Sequence, residues 1–246
     1  TGCEAPASYD LLITNGTVVD GTGAAPALAD VGISGDRIVA VGDLANARAT
    51  TVIDATDLVV APGFIDIHSH ADRALVRPDH RSGEGLIRQG VTTAMFGIDG
   101  GYSAETIKEL NDKLLDPGVP INFAFYVGHN GVREEVMGSA PRHATPEEID
   151  AMRAIVRAGM EDGAYGLSSG LMYLPGLHAS TEEVIELAKV VAEYGGVYDS
   201  HVRDPANNLM ASMEECLTIG REAGIPAHPT HVKAVGGKNF GKGPDF

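Results

Sequence analysis

The sequence predicts an α/β protein in which a parallel sheet follows a small β module. Two observations support this. From about residue 9 to residue 60, short strand-like segments alternate with turn signals. From residue 61 onwards, apolar strands alternate with helical patterns. Six strand–helix units in series are typical of a parallel sheet whose helices connect successive strands. We therefore place one domain at residues 1–60 and a second at residues 61–246.

The first domain is expected to be a small β-sandwich. Its predicted strands lie at residues 11–14, 17–20, 31–34, 38–41 and 51–54. Turn signals separate them, and Asn15-Gly16 is the dipeptide most typical of a tight hairpin. We therefore expect the chain to reverse direction at Asn15.

The second domain contains six predicted strands, at residues 64–67, 91–96, 121–127, 165–168, 196–201 and 227–232. The helices between them begin at recognisable caps. Ser103 and Ser180 are typical N-cap residues, and Thr145 with Glu148 forms the pattern of a capping box with proline at the first helical position. Further helices are expected near residues 85–88 and at 205–223.

Composition excludes some classes of protein. The 246 residues are 43% hydrophobic and 21% charged, which are the proportions of a globular chain. The formal net charge of −16 repels phosphate backbones, so we expect no nucleic-acid partner. No stretch approaches the roughly 20 apolar residues that a transmembrane helix needs.

Two cysteines, Cys3 and Cys216, are too few and too far apart to indicate a disulfide framework. Thr1-Gly2-Cys3 is similar to the end of a bacterial lipoprotein signal, in which the cysteine is acylated. That similarity predicts an exported protein, periplasmic or anchored to a membrane. Without it the expectation is a cytoplasmic protein.

Metal-type ligands stand at the ends of four predicted strands. His68 and His70 follow the first strand and, two residues apart, share one face of an extended chain. The others are Asp99, His201 and His231, after strands two, five and six. Each alone has an ordinary alternative as a core or surface residue. Together they predict a metal centre at the carboxyl ends of the strands.

Residues 61–72 resemble the first barrel strand of the amidohydrolase superfamily, and the neighbouring motifs resemble its D-aminoacylase branch, the N-acyl-D-amino-acid deacylases. The resemblance runs from Tyr9 to Lys233. It implies a (β/α)8 TIM-type barrel, of which this chain holds strands one to six. It also implies one or two zinc ions, or another divalent metal, on the five ligands above. The activity implied is hydrolysis of the amide bond of N-acyl-D-amino acids.

The resemblance assigns further roles and shows one departure. Tyr173 and Lys233 match residues that hold the substrate carboxylate, and a phenol and a cation suit an anion. His129 is expected close to the site but outside the ligand set. The family's acid/base is a strand-eight aspartate, which lies outside this chain. Asp99 stands where the family typically has a thiolate, so the preferred metal and the occupancy of a second site are open.

A serine nucleophile is not expected. Residues 166–170 fit the Gly-x-Ser-x-Gly pattern around Ser168, but that pattern needs a helix directly after the serine, and Pro175 and Gly176 oppose one. His228 lies three residues before His231, on the opposite strand face, so His231 is the predicted ligand.

Two alternatives remain. One keeps the metal but changes the substrate to a dipeptide or a cyclic amide, as in related members of the superfamily. The other is a non-catalytic fragment, because a closed barrel needs eight strands and a strand-eight aspartate is absent from these residues. We therefore expect a second polypeptide or a further C-terminal part to complete the barrel.

Overall fold

The computed structural model describes residues 7–243, which divide into two compact units between Gly63 and Phe64. Cys3 lies outside the described residues, so the lipoprotein hypothesis stays a prediction. Within the described range, every helix is too short or too polar to cross a bilayer.

The N-terminal unit is one mixed five-stranded sheet built around its first strand. The strands are β1 (Ser8–Val18), β2 (Ala27–Ser34), β3 (Arg37–Gly42), β4 (Arg48–Asp54) and β5 (Val59–Val60). β1 pairs antiparallel with β2 and parallel with β4 and β5, while β3 pairs with β2. Leu12 and Val31 are buried. These five strands form a single sheet, so the facing layer of a sandwich is not among them.

The predicted hairpin at Asn15-Gly16 is wrong. β1 continues through these residues, and its pairing with β2 shifts register between Ile13 and Gly16. Asn15 has a φ of 63°, and its backbone N–H donates to Asp30 Oδ1 at 2.9 Å. The dipeptide therefore forms a bulge, because the left-handed conformation that favours Asn-Gly in a hairpin is also the one a bulge needs.

The C-terminal unit is an α/β structure with one parallel six-stranded sheet, which confirms the predicted fold class at that level. Its strands are β6 (Phe64–Asp66), β7 (Val91–Phe96), β8 (Asn122–Gly128), β9 (Gly166–Gly170), β10 (Val197–His201) and β11 (Ala227–Pro229). They pair in sequence order, and β6 and β11 are the edges among the described residues.

Seven α-helices are described in this unit. They are α1 (Asp72–Leu75), α2 (Glu84–Ile87), α3 (Ala104–Leu115), α4 (His129–Met137), α5 (Pro146–Glu161), α6 (Thr181–Ala192) and α7 (Leu209–Ala223). The predicted caps are confirmed: Ser103 and Ser180 accept backbone N–H groups, and Thr145 forms a complete capping box with Glu148.

Two helix predictions need correction. α7 begins at Leu209 rather than at residue 205, because Asp204 accepts the N–H groups of Ala206 and Asn207 and holds a turn there. α4 was not predicted, and it starts directly at the end of β8.

The core lies between the sheet and the helices that cover it. α6 packs between α5 and α7, and Val127, Leu167 and Tyr198 are fully buried in the cluster beneath them. A second cluster around Phe96 and Leu114 fills the space near α3. Close packing on this scale makes the strands a rigid frame, so residues at their carboxyl ends hold fixed positions.

Candidate metal centre

The structure brings the five predicted ligand residues together at the carboxyl edge of the parallel sheet. His68 and His70 follow β6, Asp99 follows β7, His201 ends β10 and His231 follows β11. Parallel strands all present their carboxyl ends at the same edge, which explains how residues up to 163 positions apart (231 − 68) meet.

Asp99 lies at the middle of the arrangement. Its Oδ1 is 3.6 Å from His68 Nε2, 3.4 Å from His201 Nδ1 and 3.6 Å from His231 Nε2. Its Oδ2 is 3.4 Å from His70 Nε2. Two groups of possible ligands share this carboxylate: the first ligand group (His68, His70 and Asp99) and the second ligand group (Asp99, His201 and His231). Oδ1 faces both histidines of the second group and also His68, whereas Oδ2 faces His70, so Asp99 offers a ligand oxygen to each group.

Unpaired polar atoms show that these residues fit a divalent cation. Among the described residues, His68 Nε2 and Asp99 Oδ1 are buried without a hydrogen-bond partner. Buried polar atoms are nearly always paired, so an unpaired nitrogen and an unpaired oxygen 3.6 Å apart need an explanation. A bound cation would satisfy both atoms, and imidazole with carboxylate is a donor set suited to zinc and its neighbours.

The backbone is strained at two of the five positions. Asp99 has a φ of 58° and His231 a φ of 39°. They are two of the four non-glycine residues with a positive φ among the described residues. Each such residue costs on the order of 1–3 kcal/mol, and strain of this kind concentrates at functional sites. Here the left-handed conformation accompanies the residues whose side chains meet at the centre.

The local electrostatics favour the metal-binding protonation states. Burial alone would raise the pKa of Asp99, but His201, His68 and His231 hold that pKa below its ordinary value. Burial, together with the charges of His201, His68 and Lys233, lowers the pKa of His231 to about 4 despite the opposing effect of Asp99. At neutral pH the centre therefore offers a carboxylate and an imidazole with a free lone pair.

Tyr173 and Lys233 both lie beside the second ligand group. The Tyr173 hydroxyl is 3.3 Å from His201 Nδ1, and the two rings have centroids 4.6 Å apart. Lys233 is exposed, two residues after His231, and its charge contributes to the low pKa of that histidine.

His129 is fully buried and points into the helical layer. Its Nε2 is 2.9 Å from Glu183 Oε1, and Arg133 donates to the other oxygen of the same carboxylate. Within the described residues, its hydrogen-bond partners include none of the five predicted ligands. His129 Nδ1 is 3.3 Å from Oδ1 of its neighbour Asn130.

Asn130 is a residue that sequence reasoning missed. Its side chain accepts from Gly170 N at 3.0 Å and donates to Gly170 O at 2.9 Å, and it also donates to Tyr173 O at 3.4 Å. A Cβ on Gly100 would lie 2.3 Å from Asn130 Oδ1, so the loop after Asp99 also packs against this amide. Asn130 therefore holds the loop of Asp99 against the loop of Tyr173.

Ser168 also contacts the loop that carries Asp99. Its hydroxyl donates to Gly97 O at 2.5 Å and accepts from Gly100 N at 3.1 Å, and the residue is fully buried. The chain after β9 forms a turn and a short 3-10 helix at residues 176–178 instead of an α-helix. Both observations agree with the expectation that Ser168 is not a nucleophile.

Asp199 is a second residue that the sequence analysis missed. It is fully buried on β10, and it lies within hydrogen-bond distance of His68 Nδ1 (3.1 Å) and of His228 Nδ1 (2.9 Å). His228 therefore contacts Asp199 and belongs to neither ligand group. Strand alternation was the available signal, because Asp199 stands two residues before His201 and shares its face.

Comparison with known proteins places the chain in a family. A profile of the amidohydrolase family matches residues 51–204. The D-aminoacylase of Alcaligenes xylosoxydans is 40% identical over 95% of this chain and 52% of its own length. A solved D-aminoacylase, studied for its binuclear metal centre, superposes with a TM-score of 0.85 at 38% identity, covering 96% of this chain and 54% of that one.

A second solved relative is the N-acyl-D-glutamate deacylase of Bordetella bronchiseptica, determined with zinc and a phosphonate inhibitor. It matches with a TM-score of 0.83 and 34% identity over 97% of this chain and 54% of that one. The structure is thus an α/β protein with a candidate metal centre on a parallel sheet, and the chain belongs to the amidohydrolase family. Within that family it is similar to the D-aminoacylases, and it spans about half the length of the curated relatives it matches.

Proposed function

We propose that this chain forms part of a metal-dependent amidase that hydrolyses N-acyl-D-amino acids to a carboxylate and a D-amino acid. The supporting observation is the convergence of His68, His70, His201 and His231 on the shared carboxylate of Asp99. The substrate class and the preference for the D enantiomer come from the relatives named above.

The proposed centre holds zinc, as one or two ions, on the two ligand groups. A divalent ion bound there would polarise the amide carbonyl and acidify a water molecule. Asp99 contributes one negative charge to both groups, so it lowers the net positive charge of a two-metal centre. Asn130 and Ser168 fix the loop that carries Asp99, which keeps the two groups at a constant separation.

Tyr173 and Lys233 are proposed to bind the carboxylate of the substrate. A phenol donates one hydrogen bond and an ammonium group supplies charge, and together they orient an anion at the edge of the second ligand group. An N-acyl amino acid held this way would place its amide towards the ligands. A cyclic amide lacks the free carboxylate, so this pair favours the deacylase hypothesis over the cyclic-amide alternative.

The proposed whole enzyme is a closed (β/α)8 barrel with a two-layered N-terminal sandwich. The parallel sheet has edges at β6 and β11, and two more strands between them would close it. In the N-terminal unit, Ile38, Val41 and Val52 are more than half exposed, which is the surface a second layer would cover. The proton donor for the leaving amine is proposed to come with the strands that close the barrel.

The metal assignment is tested by His201→Ala and His231→Ala. Both variants are expected to lose bound metal, measured by elemental analysis after purification in zinc. His80→Ala is the matched control, because His80 is exposed and belongs to neither ligand group. Unchanged metal content in either ligand variant would contradict the assignment.

The substrate assignment is tested by the release of free amine from N-acyl-D-amino acids, their L enantiomers, dipeptides and cyclic amides. The enzyme with a complete barrel is expected to act on the N-acyl-D compounds. Greater activity on dipeptides or cyclic amides would favour the alternative amidohydrolase activities instead.

A further inference from the structure

Asp199 is a buried carboxylate that the proposed reaction does not use directly. It lies on β10 with no exposed surface, and its contact with His68 joins residues 131 positions apart. β6 and β10 are separated by three strands in the sheet, so this contact crosses the inner side of the curled sheet. A hydrogen bond at this position constrains where His68 lies relative to the rest of the centre.

The geometry of the bond also sets which nitrogen of His68 is free. Asp199 Oδ2 is 3.1 Å from His68 Nδ1, and a carboxylate accepts hydrogen bonds. The hydrogen of a neutral His68 ring is then on Nδ1, and the lone pair is on Nε2. That Nε2 is the buried atom without a partner that faces Asp99.

The second oxygen of Asp199 is held as well. Asp199 Oδ1 is 2.9 Å from His228 Nδ1, so the carboxylate has an imidazole on each side and little freedom to rotate. His228 is about one-third exposed and lies outside both ligand groups. His228 therefore contacts Asp199, and Asp199 in turn contacts the candidate ligand His68.

We propose that Asp199 is a positioning residue for the metal ligand His68, and that His228 holds Asp199 in place. Asp199 selects the Nδ1–H tautomer and fixes the ring so that Nε2 points into the first ligand group. The inference rests on the proposed metal centre. Hydrogen-bond partners of this kind raise the basicity of a ligating histidine and fix its orientation.

The tautomer is measured first, in the unmodified protein without metal. Long-range proton–nitrogen correlation spectra of protein labelled with ¹⁵N-histidine report which ring nitrogen of each histidine carries hydrogen. The His68 signals are assigned by their loss in His68→Gln. We expect the Nδ1–H form for His68. A predominant Nε2–H form would overturn the proposal, and this measurement needs no variant at Asp199.

Metal titration then tests the effect on binding. Asp199→Asn keeps the shape of the side chain but offers an acceptor to only one of the two imidazoles. We expect the zinc affinity of one binding step to fall by roughly 10–100-fold, and this should be the step that His70→Ala in the first ligand group also weakens. The step weakened by His231→Ala should stay unchanged. His228→Ala should weaken the same step as Asp199→Asn, and the exposed carboxylate variant Asp162→Asn should weaken neither.

The outcomes separate the two proposals. If the unmodified protein binds no zinc, the proposed metal centre fails. If it binds zinc and Asp199→Asn binds equally well, the centre stands and the role of Asp199 is wrong. If Asp199→Asn weakens both steps equally, Asp199 has only a structural role and the proposal is overturned.

Discussion

At the scale of single residues, the shared carboxylate of Asp99 determines what kind of centre this is. The described ligand set contains imidazole and carboxylate, and the one described cysteine, Cys216, is buried elsewhere. Carboxylate is a harder donor than thiolate, so the centre should accept harder divalent ions than a thiolate centre would. Because Asp99 belongs to both ligand groups, one substitution affects both.

Asp99→Ala should therefore weaken metal binding at both groups. We expect the loss to exceed the roughly 10–100-fold that loss of an outer hydrogen-bond partner costs, because a ligand itself is removed. Isothermal titration of metal-free protein measures both binding steps. Asp79→Ala, at an exposed carboxylate outside both groups, is the control. Loss of one step alone would show that Asp99 does not bridge.

Asp99→Cys tests the chemical preference separately. The thiolate should raise the affinity for cadmium relative to manganese, since softer ions prefer sulfur. The cobalt-loaded variant should also gain an absorption band from sulfur-to-metal charge transfer that the unmodified protein lacks. Unchanged relative affinities with no new band would place residue 99 outside the ligand set.

At the scale of the elements, helix α4 connects the centre to the helical layer. Its residues His129 and Arg133 share the buried carboxylate of Glu183, at the start of α6, while Asn130 holds the loops after β7 and β9. Burial alone would raise the pKa of Glu183, but His129 and Arg133 hold it below its ordinary value. The ionised form of Glu183 is therefore stabilised by folding.

Glu183→Gln should destabilise the protein by about 3 kcal/mol at pH 7, because the buried guanidinium of Arg133 loses the carboxylate that pairs its charge. The pKa of Glu183 is lower in the folded protein than in the unfolded chain, where it is about 4.5. The ionised carboxylate therefore stabilises the fold fully above about pH 4.5, and this stabilisation is lost as the pH falls through the pKa of the folded protein. The difference between the variant and the unmodified protein should therefore shrink in acid. Urea unfolding at several pH values measures it.

The control for that experiment is Glu193→Gln. Glu193 pairs with Arg157 on the exposed surface, and such pairs contribute little to stability. If Glu183→Gln were no more destabilising than this surface variant, the buried cluster would not stabilise the junction of α4 and α6.

Asn130→Ala should lower stability by about 1–3 kcal/mol, because the buried N–H of Gly170 loses the side-chain oxygen that accepts its hydrogen bond. In an active enzyme it should also raise KM, since the loop of Tyr173 loses one support. Asn122→Ala removes an exposed amide with one backbone contact and is the control. Unchanged stability and KM in Asn130→Ala would show that the contacts of Asn130 with these two loops are unimportant.

At the scale of the whole molecule, the parallel sheet has two open edges among the described residues, at β6 and β11. Exposed strands present unpaired N–H and C=O groups, and closing a barrel satisfies them. The centre lies at the carboxyl edge of the same sheet, so all five candidate ligands are present before the barrel is closed. We therefore expect the described residues to be sufficient for metal binding.

We expect the isolated 246-residue chain to bind zinc, because all five candidate ligands lie within it. Zinc titration of the metal-free protein measures this, and an absence of binding would contradict the expectation.

Local patterns were sufficient to predict much of the fold and the candidate ligands. The capping box at Thr145 and the alternation of strands and helices depend on neighbouring residues. The ligand candidates were predictable because each follows a strand, and parallel strands end at a common edge. At Asn15 local information was insufficient, because the same dipeptide suits a hairpin and a bulge, and only pairing with β2 selected the bulge.

The sequence by itself determined the α/β class and the residue types available to bind a metal, because the alternation of strands and helices follows from periodicity along the chain. Only the tertiary structure decided that Asp99 faces both histidine pairs, that Asp199 holds His68 and that Asn130 holds two loops. Asp199 and His68 are 131 positions apart in the sequence, and Asn130 and Gly170 are 40 positions apart. These contacts arise from the curvature and packing of the sheet, which no local pattern encodes.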